Sequence, residues 1–182
     1  IWILFAVLIP TQASPARIGT LTWTTLLCKF SDVPAEPFTL QDVQVQFGAN
    51  YIGVSHYWHV QSGGALTLAT QTLGWYRLPR TQSEYLTLGT DAGRAALIAD
   101  CLQAASYTDT AEIITAVVTN VDSALHGLAA QDGVINPTTV AHMASLINIS
   151  GQALGLTRSS GTLPHIANVW DALSVPMPVC GT

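Results

Sequence analysis

Charge is what this sequence has least of. Only 9% of its residues are Asp, Glu, Lys or Arg, against about 25% in an average soluble domain. The six Lys and Arg are spread singly, and the net charge is −5. No basic patch is available to neutralise phosphates, so nucleic-acid binding is not expected. The surface must be built from Ser, Thr, Gln and Asn instead. That composition suits a secreted protein, or one covered by protein partners in a larger assembly.

Cysteine pairs at C-x-x-C spacing are also missing. Cys28, Cys101 and Cys180 lie far apart, which argues against a thiolate zinc site or a redox dithiol. The three cysteines are expected as buried thiols, with a disulfide between two of them if the chain is extracellular. No apolar run approaches the ~20 residues of a membrane-spanning helix. The longest, Ile1 to Ile9, has nine. With Pro10 to Ser14 behind it, residues 1–19 read as a signal-peptide remnant or a buried strand. No G-x-S-x-G elbow is present to serve a hydrolase nucleophile. Asp132-Gly133 lacks the acidic spacing of a calcium loop and reads as a turn.

What is present is an alternation of strand and helix signals, enough for one domain over residues 20–182. Leu21 to Phe30 is apolar and β-branched, a buried strand that stops at Ser31-Asp32-Val33-Pro34. Asp42 to Trp58 carries apolar residues at helical spacing, interrupted by Gly48 and Gly53. Beyond the Gly63-Gly64 turn, Ala65 to Ala69 and Leu73 to Leu78 alternate like a hairpin. Asp91 to Ala105 is the clearest helix, with Asp91 as its cap. Ile113 to Val121 is expected as a central strand. Ala124 to Asn136 holds several turn residues. Pro137 opens a second long helix running to Leu154, and Gly155 sits where a helix-ending glycine belongs. The order predicts a mixed α/β domain with one main sheet.

The segment with most chemical content is Asn148-Ile-Ser-Gly-Gln152-Ala-Leu-Gly155-Leu-Thr-Arg158, followed by Ser159-Ser160-Gly161. Its spacing follows H-E-x-x-H-x-x-G-x-x-H. In that motif two histidines four apart present both imidazoles on one helix face. The glutamate holds the attacking water, and the glycine lets the chain turn so that a third histidine completes the zinc ligands. Other stretches match the same kind of protein. Leu26 to Pro34 runs to F-S-D, Tyr57 to Leu68 follows "YY-x-x-x-S-x-G-x-L-x-L", and Gly74-Trp75-Tyr76-Arg77-Leu78-Pro79 follows G-W-Y-x-x-P. Trp170-Asp171-Ala172-Leu173-Ser174 follows W-D-x-M-S, with Leu173 in the methionine's place.

Together these segments, over roughly residues 20–175, resemble the catalytic core of secreted zinc metallopeptidases of the immune inhibitor A-like, metzincin-type family. The resemblance implies a zincin-like α/β (α+β) core, one mixed β-sheet packed with a long motif-bearing helix. It also implies a chain cut short at its C-terminal side. It places the three ligand positions at Asn148, Gln152 and Arg158, the general base at Ile149, and the turn beneath the site at Trp170, Asp171 and Leu173. None of these residues is the one the chemistry needs. Amides are poor zinc ligands, Arg158 would set a fixed positive charge beside a dication, and Ile149 cannot take a proton. A plain core helix over Val140 to Leu156 would explain the apolar stripe there. It would not explain the tail to Gly161 or the Trp170–Ser174 segment.

The expected function is therefore an inactive pseudo-peptidase, extracellular, holding no zinc and acting as a binding or structural module. The alternative is an active zinc-dependent endopeptidase whose ligand residues these letters misrepresent. The histidines give no competing site. His56 and His59 share a helix face, His142 points elsewhere on its helix, and His126 and His165 sit in loops. Trp58, Trp75 and Tyr76 read as core.

Overall fold

The computed structural model of the chain describes residues 17–50, 53–110 and 112–156. The N-terminal apolar segment, Arg158, His165, the Trp170–Ser174 segment and Cys180 lie outside the described residues. Five strands form one sheet in the order β2-β1-β3-β5-β4. β1 (Gly19–Lys29) pairs in parallel with both β2 (Leu66–Arg77) and β3 (Ile113–Thr119). β5 (Asp132–Ile135) pairs in parallel with β3, and β4 (Gly127–Ala129) runs antiparallel at the edge. Trp23 to Cys28 and Ile114 to Thr119 are buried without a break. Such unalternating strands suit the middle of a sheet covered on both faces, and β3 is the central strand.

Helices cover both faces. α1 (Leu40–Phe47), α2 (Val54–Gln61), α5 (Pro137–Val140) and α6 (Met143–Ala153) build one apolar layer with Trp23, Leu27, Ile114 and Val118. α3 (Gln82–Leu86) and α4 (Thr90–Ala104) build the other with Leu26, Val117 and Val134. Thr39 with Asp42 and Thr81 with Glu84 form reciprocal capping boxes that start α1 and α3. Among the described residues no helix is long and apolar enough to cross a membrane.

Several local expectations change. Leu66 to Arg77 is one strand, not a hairpin. Its polar centre resembles a turn, but Gln71 is held by hydrogen bonds to Thr24 Oγ1 (2.8 Å) and the Tyr107 hydroxyl (2.9 Å). Asp42 to Trp58 is two helices. A side chain at Gly53 would lie 2.0 Å from the Gly48 carbonyl oxygen, so the chain bends closely there and only glycine fits. The Pro137 helix is also two, because His142 is extended and stands at the cap position of α6. Asn136 caps α5 ahead of Pro137. Asp91 lies inside the first turn of α4, whose cap is Gly89. Asp132-Gly133 is strand; the hairpin turn is Ala130-Gln131, with Ala130 at φ 57°.

Cys28 and Cys101 are not free thiols. They form a disulfide, Cα to Cα 6.1 Å, between β1 and α4. Across the other layer, the Trp58 indole donates to Ser150 Oγ at 2.8 Å and locks α2 to α6.

Candidate functional site

The site is built on α6. Leu146, Ile149, Ser150, Gly151 and Ala153 are buried and fix the helix against the sheet. Asn148 and Gln152, one turn apart, share the opposite, half-buried face. The Gln152 amide donates to Asn148 Oδ1. Directly after the helix, Gly155 takes φ +84°, the left-handed conformation that lets the chain reverse. Two of the three positions that the resemblance matches to zinc ligands are thus brought together, with the turning glycine behind them. The third, Arg158, lies outside the described residues.

Ile149 does not share that face. It is 6% exposed and belongs to the apolar layer with Trp58 and Ile135. A side chain added at Gly133 of β5 would meet its Cδ1 at 3.9 Å. A buried alkyl group here has no proton to move. The amides of Asn148 and Gln152 are each other's partners, and neither offers the imidazole, thiolate or carboxylate that zinc selects. Among the described residues, Asn148 and Gln152 do not fit a zinc centre. Their amides can donate and accept hydrogen bonds to a polar ligand.

Two features flank α6. On one side is the β4–β5 hairpin, held from behind by Arg94 of α4. This buried guanidinium donates to the carbonyls of Leu125 (2.8 Å), His126 (2.9 Å) and Leu128 (3.0 Å). Gly127 beside it takes φ +133°, which favours glycine, and a Cβ there would stand 2.9 Å from Arg94 Nη2. Burial, the main cause, pushes the His126 imidazole below its usual pKa, with Arg94 adding to the effect. On the other side is an open groove of about 590 Å³ between α2 and the start of α6. His56, Tyr57, Val60, Met143 and Ile147 line it. Burial raises the Tyr57 hydroxyl's pKa.

His56 and His59 both lie on α2, His56 toward the groove and His59 beside Gly64 and Thr67. His142 is not on the helix at all. Trp58 is core; Trp75 and Tyr76 are half-buried, and the Trp75 indole donates to the Phe38 carbonyl at 3.0 Å. Sequence reasoning passed over Asn120, which follows β3 and holds the loop leaving β1. Its amide donates to the carbonyls of Val33 (2.8 Å) and Ala35 (3.0 Å) and accepts from the Phe30 N–H (3.2 Å). It closes the crevice between the ends of β1 and β3, where the strand order reverses and open α/β sheets usually bind ligands. A lone Asn beyond a strand carries no pattern that would flag it.

No known protein family matches this chain, and no curated protein matches it significantly.

Proposed function

We propose that this chain is a metallopeptidase-like scaffold without zinc chemistry, acting outside the cell as a binding or structural module. The reading rests chiefly on α6. Asn148 and Gln152 keep the spacing, the shared face and the following glycine turn of a ligand helix, while their side chains bond to each other. Ile149 is part of the core. One mixed sheet packed against this helix is compatible with the zincin-like core that the resemblance implies, although the motif-bearing helix, Met143–Ala153, is shorter than the long one expected. The Cys28–Cys101 disulfide supports an extracellular setting, where such bonds persist. Low charge supports a surface covered in part by protein partners.

The test uses the full chain, purified without chelator and dialysed against micromolar zinc. Elemental analysis should find well under one zinc per chain, and casein should remain uncleaved. One zinc per chain, lost in Asn148→Ala or Gln152→Ala, would overturn the proposal and favour the active endopeptidase.

A further inference from the structure

The β4–β5 hairpin is attached to the rest of the sheet by very little. β5 pairs with β3 at only three positions, Ala116 with Gly133, Val117 with Val134, and Val118 with Ile135. One step before this ladder, the backbone is replaced by side chains. The Thr115 N–H donates to Asp132 Oδ1 at 2.7 Å, and Thr115 Oγ1 donates to Asp109 Oδ1 at 3.3 Å. Asp132 in turn is within hydrogen-bond reach of Asp109. Thr115 has no solvent exposure, and both carboxylates are half-buried around it. Two carboxylates this close cannot both ionise without repulsion. When Asp132 is protonated, Oδ2–H donates to Asp109, Asp109 accepts from the Thr115 hydroxyl, and Asp132 Oδ1 accepts from the Thr115 N–H. The ring is closed and every donor has an acceptor.

We propose that Asp109, Thr115 and Asp132 form a proton-operated latch that fastens the turn of the β4–β5 hairpin to β3. The latch is closed when the carboxylates hold one proton between them and open when both ionise. The other charged groups nearby do not cancel the repulsion. Glu112, on the segment leading into β3, is exposed and adds negative charge. Arg17, ahead of β1, donates to Gln131 Oε1 at 3.2 Å and keeps its charge, but this does not offset the burial and the Asp109 charge that raise the Asp132 carboxyl. β4 contributes no ionisable side chain. Burial, and then the charge of Asp109, lift the Asp132 carboxyl from 3.8 to about 6, against the opposing pull of the Thr115 N–H. Because the folded pKa is raised, the stabilisation is complete below about pH 4 and is lost as pH rises through about 6. Ile149 packs beside Gly133, so an open latch loosens the hairpin flanking α6.

The experiment is amide hydrogen exchange on the full chain at pH 5.0 and 7.5, corrected for intrinsic rates, alongside urea midpoints. Thr115 and the hairpin amides should be better protected at pH 5.0. With the carboxyl at 3.8 when open and about 6 when closed, the opening equilibrium changes by about tenfold between pH 5.0 and 7.5, and solvent screening of a half-exposed pair makes that an upper bound. Asp132→Asn supplies a permanent donor to Asp109 and keeps the acceptor for Thr115. It should hold the latch closed and remove this pH dependence, with protection at pH 7.5 at least equal to that of the unaltered chain. Asp109→Asn should do the same by donating to an ionised Asp132. If the unaltered chain shows no difference between the two pH values at Thr115, or if Asp132→Asn keeps the full difference, the latch does not exist.

Discussion

Reducing or deleting the Cys28–Cys101 bond is the perturbation whose size the structure defines best. The bond joins β1 to α4 across a sequence separation of 73 residues. Closing a loop of that length in the unfolded chain removes entropy worth about 4.4 kcal/mol at 25 °C. For a domain of this size each kcal/mol moves the melting temperature by about 2–4 °C, so the double variant Cys28→Ala, Cys101→Ala should melt roughly 9–18 °C lower. Both side chains have no solvent exposure. Losing the sulfurs therefore adds a small packing penalty, and the reductant should act slowly until the chain is opened. The assay is thermal unfolding followed by circular dichroism, for the unaltered chain, the double variant, and chain reduced in urea and refolded with its thiols blocked. A non-reducing digest should yield a peptide containing Cys28 linked to one containing Cys101. A melting shift under about 3 °C would refute the loop-entropy argument, and an absent linked peptide would refute the bond.

The quadruple variant Asn148→His, Ile149→Glu, Gln152→His, Arg158→His should lose about 1–3 kcal/mol as apo protein, since a carboxyl replaces a core side chain. Zinc should raise its melting temperature, and a folded variant that zinc does not stabilise would argue against inherited ligand geometry. Arg94→Met should cost about 2–4 kcal/mol by urea titration, because three carbonyls lose one buried guanidinium. Arg94→Lys should rescue little of this, and full rescue would show that the charge alone matters. Trp58→Phe should cost only about 1 kcal/mol beyond its packing loss, because Ser150 Oγ still donates to the Ile147 carbonyl at 3.0 Å. A much larger loss would mean that the α2–α6 link carries more of the fold than one hydrogen bond.

Much of the architecture was legible in the residues. The buried runs in β1 and β3 announce central parallel strands, because only a sheet covered on both faces tolerates such unbroken apolarity. Pro137 after Asn136, and Gly155 beyond Ala153, mark helix ends by backbone chemistry that acts locally. The one-turn spacing of Asn148 and Gln152 likewise fixes a shared face once the segment is helical. Other features depended on partners distant in sequence. Thr70-Gln71-Thr72 looks like a turn until Thr24 and Tyr107 are seen to hold Gln71. Asp132 looks like a turn residue until Thr115 and Asp109 surround it. The burial of Ile149 and the ring around Thr115 arise where β3, β5 and α6 meet. The pairing of Cys28 with Cys101 depends on α4 lying across β1, and no spacing along the chain encodes that distance. Sequence by itself determined which segments could be strands or helices, because propensity, capping and periodicity are short-range. Only the tertiary structure decided which polar groups were satisfied, because the hydrogen bonds that satisfy them close loops of tens of residues.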